Sequence, residues 1–253
     1  MSNPSAHHFL LLWLALPAFW ASAWLGAFYR EKRGNLKGDN LEDFRFIVGA
    51  TLTLMGLIVA FTFSMAVSRY DQRKNFEEQE ANAIGTEYVR AGLLPAADAV
   101  KVRALLSRYL AQRILFYKAS DEQQLQQIND QTGRLQNELW SAVAPHAVAQ
   151  QNPVMALVVA GMNDVLNSQG FTQAAFWNRI PVAAWMLIII ISFFCNLLIG
   201  LGMHSRNPFL LLIFPVILTI SLFFIADIDS PRRGVIQVLP QNLQSLAESL
   251  RGQ

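Results

Sequence analysis

An apolar run at residues 46–67 passes without any helix breaker into a charged, helix-forming stretch at 68–94. From Gly56 to Leu94 the chain reads GLIVAFTFSMAVSRYDQRKNFEEQEANAIGTEYVRAGLL, and the next proline is Pro95. At 1.5 Å per residue the apolar run rises about 33 Å, enough for a hydrocarbon core of roughly 30 Å. One helix is therefore expected to leave the bilayer and continue into water.

Composition supports lipid as the main solvent. Hydrophobic residues make up 53% of the chain and charged residues only 15%, against about 25% charge in soluble domains. Four apolar spans are predicted, at 9–29, 46–67, 180–203 and 209–228. The fold class is then an all-α membrane protein of four transmembrane helices, with a helical insert between the second and third. The expected divisions are 1–67 for the first pair, 68–179 for the insert, 180–228 for the second pair and 229–253 for a tail. The first span lacks a basic leader and a small-residue cleavage site, which marks it as an anchor. Its Trp13, Trp20, Trp24 and Tyr29 suit interfacial or helix-packing positions.

Helical pattern and breakers predict insert helices at 68–94, 97–119, 121–143 and 154–168, divided by Pro95, Ser120 and Asp121, and Pro145 and Pro153. The second places Val102, Leu105, Leu106, Tyr109, Leu110 and Ile114 on one flank. The third is rich in glutamine and weakly amphipathic, so a peripheral place or contact with a neighbouring subunit is expected. In the tail Leu243, Leu246 and Leu250 share a flank suited to docking on the insert.

Lys and Arg near the span ends set orientation, and here they balance. Arg30, Lys32, Arg33, Lys37, Arg45 and Arg206 lie on one side; Arg69, Arg73, Lys74, Arg179, Arg232 and Arg233 lie on the other. The net charge of +2 carries no nucleic-acid footprint. Cys195 is the sole cysteine. His7 and His8 would diverge by about 100° on a helix. His146 and His204 lack companions at metal spacing, and Gly170, Gly200 and Gly202 form no phosphate loop. No catalysis, metal or cofactor is expected. His204 and Arg206 are read as the turn between the last two spans, with Asn207 and Pro208 starting the next helix.

Projecting the second helix at 100° per residue places Thr53, Leu57, Phe61, Ser64, Ser68, Gln72, Asn75, Gln79, Asn82 and Thr86 within a sector of about 100°. No ionised side chain falls in this sequence of positions. Hydroxyls and amides of this kind can replace part of an ion's hydration, and Leu57 and Phe61 can form a dewetting constriction. The competing reading is ordinary helix packing, which small polar residues also serve in membranes. An adjacent sector holds Arg69, Arg73, Glu80 and Glu87 beside Phe76, Ala83 and Ala91, and offers subunit contacts. For Glu80 and Glu87, ion pairs with Arg73, Arg90 or another subunit are expected ahead of any chemistry.

The run LIVAFTFSMAVSRY followed by DQRKNFEEQEANAIGTEYVRAGLLP, together with Asp227, Asp229, Pro231, Arg232, Arg233 and Gly234, resembles the bacterial bestrophin-like domain family. Bestrophins are pentameric anion channels with four membrane helices per subunit, a cytosolic helical insert and an apolar neck on the second membrane helix. The resemblance implies a neck at Thr53, Leu57 and Phe61, on the face found by projection. It further implies a homo-oligomer, pentameric by analogy, that meets membrane lipid and inorganic ions. The bacterial inner (plasma) membrane is the implied location, with the insert and both termini cytoplasmic. Two features depart from the pattern. Only Asp227 and Asp229 stand where bestrophins carry a run of acidic residues, so calcium, which takes six to eight oxygens, is not expected; local pairing with Arg232 or Arg233 is. Thr53 makes one neck level more polar.

Two functions follow as expectations. The first is an ion channel, anion-conducting, whose path is lined by the second helix of each subunit. The alternative is a non-conducting scaffold or sensor whose insert binds a protein.

Overall fold

The computed structural model describes residues 6–33, 38–203 and 207–252. The side chains of His7, His8, Trp13 and Arg33, and the whole of Lys37, His204 and Arg206, lie outside the described residues. The helices are α1 (Ala6–Arg33), α2 (Asp39–Arg90), α3 (Ala96–Lys118), α4 (Glu122–Ala149), α5 (Pro153–Trp177), α6 (Val182–Gly202), α7 (Pro208–Asp229) and α8 (Gln241–Arg251). No strand occurs among the described residues. Three stretches there are long and apolar enough to cross a membrane: Asp39–Leu93, Pro153–Gly202 and Pro208–Asp229. The protein is an all-α membrane protein with a helical insert.

The chain divides into two compact units. One holds Met1–Ser68 and Arg179–Ile236, the other Arg69–Asn178 and Gln237–Gln253. In the first, α1 packs along α6 through small residues. A side chain on Gly26 would strike the Leu197 carbonyl, and one on Gly200 would strike that of Ala23. In a membrane, where burial of apolar surface gives no drive, such close backbone approach is what joins helices. Ser22 Oγ donates to the Phe193 carbonyl at 2.7 Å, and Arg30 Nη1 donates to that of Gly202 at 2.6 Å. That last bond satisfies one of the carbonyls a helix end leaves open. Asn207 caps α7 by accepting from Phe209 N at 3.0 Å, with Pro208 at the first helical position.

The insert has the core of a soluble helical domain. Val102, Leu106, Tyr109 and Leu110 of α3 meet Leu135, Leu139 and Val143 of α4 and Met155, Val158, Met162 and Val165 of α5. Ile84 of α2 and Leu243 of α8 join the same cluster, with Leu246 and Leu250 packed against it. A single 3-10 turn, Ala91–Leu93, ends α2; Leu94 is extended before Pro95, as steric clash with a following proline ring requires.

Three sequence expectations are corrected here. Pro145 does not end α4, which continues to Ala149; the ring removes one bond, to Ser141, and both residues are exposed, so water takes the freed carbonyl. The helix α5 runs past Ser168 to Trp177, because Val165, Ser168, Thr172, Ala175 and Phe176 keep one face buried. The glutamine-rich α4 is not weakly amphipathic: Ile128, Thr132, Leu135, Leu139, Ala142 and Val143 form a buried stripe. Its glutamines point away, apart from half-buried Gln136, which donates to the Tyr109 hydroxyl at 3.5 Å and to Gln169 Oε1 at 3.4 Å.

Candidate functional site

Burial along α2 alternates with helical phase. In the membrane unit Met55, Thr62 and Ala66 are buried, and in the insert Arg73, Glu77, Glu80, Ile84 and Glu87 are buried. Nearly opposite, about 150° away by helical projection, lie Thr53, Leu57, Phe61, Ser64, Ser68, Gln72, Asn75, Gln79, Asn82 and Thr86. Every one of these ten is exposed in the single chain, Leu57 at 50% and Phe61 at 65%. The hydroxyl of Thr53 donates to the Gly49 carbonyl at 2.9 Å, so that donor is engaged by its own helix. On the buried side Ser192 Oγ lies 3.8 Å from Met55 Sδ, and Cys195 Sγ lies 3.8 Å from the Thr51 carbonyl. These contacts join α2 to α6.

The adjacent charged sector does not face outward for subunit contacts. Arg73, Glu80 and Glu87 are buried within the insert of their own chain, and only Arg69 stays partly exposed. Glu80 is bound by Arg113 of α3. Arg113 Nε bonds Glu80 Oε1, and Nη2 reaches Oε2 at 3.5 Å. Tyr117 and Thr172 donate their hydroxyls to the same Oε2 at 3.4 and 3.1 Å. The Arg113 guanidinium stacks over the Phe116 ring, 4.3 Å from its centre. Burial works against the Arg113 charge, but Glu80 outweighs it and holds the guanidinium above its ordinary pKa. Burial, seconded by Glu80, pushes the Tyr109 and Tyr117 hydroxyls up.

Glu87 contrasts with Glu80. Both its carboxylate oxygens are buried and no hydrogen bond reaches them among the described residues. Gly161 of α5 lies against it so closely that a side chain there would overlap the carboxylate and crowd Arg90 Nη1. Burial pushes the Glu87 pKa up to about 8; Arg90 opposes the shift and Asp164 adds to it. Glu77 serves a third purpose. Its carboxylate accepts from Asn242 Nδ2 at 2.6 Å and Leu243 N at 2.9 Å, capping the open N-terminus of α8.

After α7 the carboxylates close a turn. Asp227 accepts from Val235 N at 2.7 Å and Ile236 N at 2.8 Å, while Asp229 accepts from Ile180 N at 3.1 Å with both oxygens. Both carboxylates thus accept from backbone amides. Gly234 is required by close approach, since a side chain would strike the Asp227 carbonyl. Arg232 is partly exposed and Arg233 exposed. Among the described residues no group of three or more His, Cys, Asp or Glu could hold a metal ion.

Sequence reasoning missed Arg113, Tyr117, Thr172 and Glu77. A signal for Arg113 existed: it falls four residues after Tyr109 and seven after Leu106, on the apolar flank of α3. A charge within such a stripe calls for a buried partner.

A multi-pass helical membrane protein with a charged-core insert and an exposed neutral face on one long helix is the class these features define. The profile described as Bestrophin-like domain matches residues 12–243, and the chain belongs to the bestrophin-like family, whose members are membrane proteins and not enzymes. Among solved structures, a bacterial bestrophin homologue from Klebsiella pneumoniae carrying one substitution is 13% identical, with a TM-score of 0.67 over 97% of this chain and 99% of that one. A second mutant form of that homologue is 13% identical, with a TM-score of 0.66 over 96% and 97%. A structure described only as a membrane protein is 12% identical, with a TM-score of 0.66 over 96% of both chains. No curated protein sequence matches the chain.

Proposed function

We propose that the protein is a homo-oligomeric ion channel, anion-conducting, whose path is lined by α2 of each subunit. Four spans per subunit, α1 and α7 included, and a pentameric assembly complete the proposal. So does a place in the bacterial inner membrane with the insert and both termini cytoplasmic. The observation that carries it is the exposure of all ten neutral residues on α2, set nearly opposite the buried stripe. Packing within the subunit leaves that face unused, which supports a path over packing inside one chain. A ring of such helices would present Thr53, Leu57 and Phe61 as the constriction. Ser64, Ser68, Gln72, Asn75, Gln79, Asn82 and Thr86 would present hydroxyls and amides beyond it, able to replace part of an ion's hydration.

The test is conductance of the purified protein in planar bilayers, with Phe61→Ala beside the wild type. Removing the ring of large side chains widens and wets the constriction, so conductance rises by at least about tenfold. Absence of current in both proteins, with particle images that show no central opening, overturns the channel reading in favour of a scaffold.

A further inference from the structure

The membrane unit contains a cavity that the conduction proposal does not use. It has a volume of about 240 Å³ and lies between α1, α6 and α7, lined by Leu14, Phe19, Trp185, Thr219, Leu222 and Phe223 with small alanines between them. The space is partly open at the surface of the unit, so an occupant can enter it from the surrounding solvent. Water does not suit it, because a buried water needs two to four polar partners. Among the described residues the lining offers one side-chain hydroxyl, that of Thr219, which is buried and has no hydrogen-bond partner among them. Only hydrocarbon matches the remaining wall.

Position along the helices says where the hydrocarbon comes from. Trp185 is three residues into α6, about 5 Å from the end at which the chain arrives from the insert. Phe223 and Thr219 lie six and ten residues before the end of α7 at Asp229, about 9 and 15 Å from the same end. That range is the acyl region of one leaflet. The indole of Trp185 stands near its polar boundary, where tryptophan concentrates. The mouth is marked by Leu14 and Ile189, exposed at 62% and 48%. Exposed aliphatic side chains of this kind suit contact with lipid.

We infer that this cavity is a binding site for one acyl chain of a membrane phospholipid from the leaflet on the insert side, inserted between α1, α6 and α7. The chain fills a space the protein leaves open and thereby completes the packing of the three helices.

Photolabelling tests this independently of conduction. The full-length protein is reconstituted in phosphatidylcholine vesicles doped with a phosphatidylcholine that carries a diazirine near the middle of one chain, then irradiated, digested and mapped by mass spectrometry. Adducts on residues 14–19, 185–189 and 219–223 are expected to exceed those on the exposed, non-lining Ile190, Phe194, Ile213 and Ile217 by at least about fivefold, since a resident chain stays beside its site. Ala15→Trp fills the cavity and lowers the first set to the level of the second. Should that variant fail to fold, Ala18→Leu at the exposed rim carries the same test. Equal labelling of both sets, or labelling that a folded filling variant leaves unchanged, overturns the site.

Discussion

The two units differ in which side chains they bury and how they satisfy them. In the membrane unit the hydroxyls of Ser22, Thr62 and Ser192 turn inward and bond helix carbonyls, while Leu57, Phe61, Ile190 and Phe194 face out. In the insert the large apolar side chains turn inward, and four charged residues of α2 go in with them: Arg73, Glu77, Glu80 and Glu87. The difference follows from the solvent. Water rewards burial of apolar surface at about 25 cal/mol per Å², a gain large enough to carry a few paired charges into the core. Lipid offers no such gain, so helices there meet by close backbone contact and local hydrogen bonds.

Several substitutions would break or sharpen this contrast, and the largest effect is expected in the insert. Glu80→Ala leaves Arg113 buried without its counter-charge and destabilises by about 3–5 kcal/mol, read as a drop in the thermal midpoint of the detergent-solubilised protein. The double variant Glu80→Leu with Arg113→Met should recover most of it. A decline equal to that of the single variant would show the pair to be irreplaceable. In the membrane unit, Gly200→Leu forces α1 from α6 and costs about 1–3 kcal/mol, visible as loss of monodispersity or a lower midpoint. No change would mean that the close approach at Ala23 is dispensable.

Glu87 supplies a pH dependence of defined sign. The unfolded chain releases this proton near 4.5, whereas the folded insert holds it to about 8. Between those values the folded state binds more protons, so stability falls as pH rises, by at most about 1.4 kcal/mol per pH unit. The fall stops above about 8, and below 4.5 this group adds no slope. Stability measured across that window should decline in the wild type and lose this component in Glu87→Gln. Identical profiles would remove Glu87 as the cause.

Smaller again is the cap on α8. Glu77→Ala removes the acceptor for Asn242 and Leu243 and should cost about 1 kcal/mol, with faster amide exchange at the start of α8. At the bottom stands Phe61→Ala, which on the exposed face should alter stability by no more than about 0.5 kcal/mol while changing conductance. A large loss of stability there would mean that Phe61 is packed in the assembly rather than bordering a path.

Much of the candidate site was legible before folding. The ten neutral residues share a face by helical geometry alone, and their exposure agrees with that phase because α2 is unbroken from Asp39 to Arg90. The charged sector was misread as a surface for subunit contacts. A one-dimensional projection shows which residues share a side but not what stands against that side. Here α3 and α5 bring Arg113 and Thr172 from 33 and 92 residues away to meet Glu80. The same limit hid the stripe of α4, whose apolar residues are diluted by the glutamines around them. It also hid the use of Asp227 and Asp229 as acceptors for backbone amides.

The amino-acid sequence by itself determined what lies along each helix: the apolar runs, the unbroken passage from 46–67 into 68–94, the neutral face, and the breakers at Pro95 and Pro153. These are local properties, set by hydrophobic length, by the 3.6-residue period and by proline's missing donor. Tertiary structure alone decided which charges are buried, which carboxylate accepts hydrogen bonds and which accepts none among the described residues, and where the membrane helices leave a cavity. Those outcomes depend on side chains that meet across long separations in the chain, and on the difference between a core that water compresses and a bundle that lipid does not.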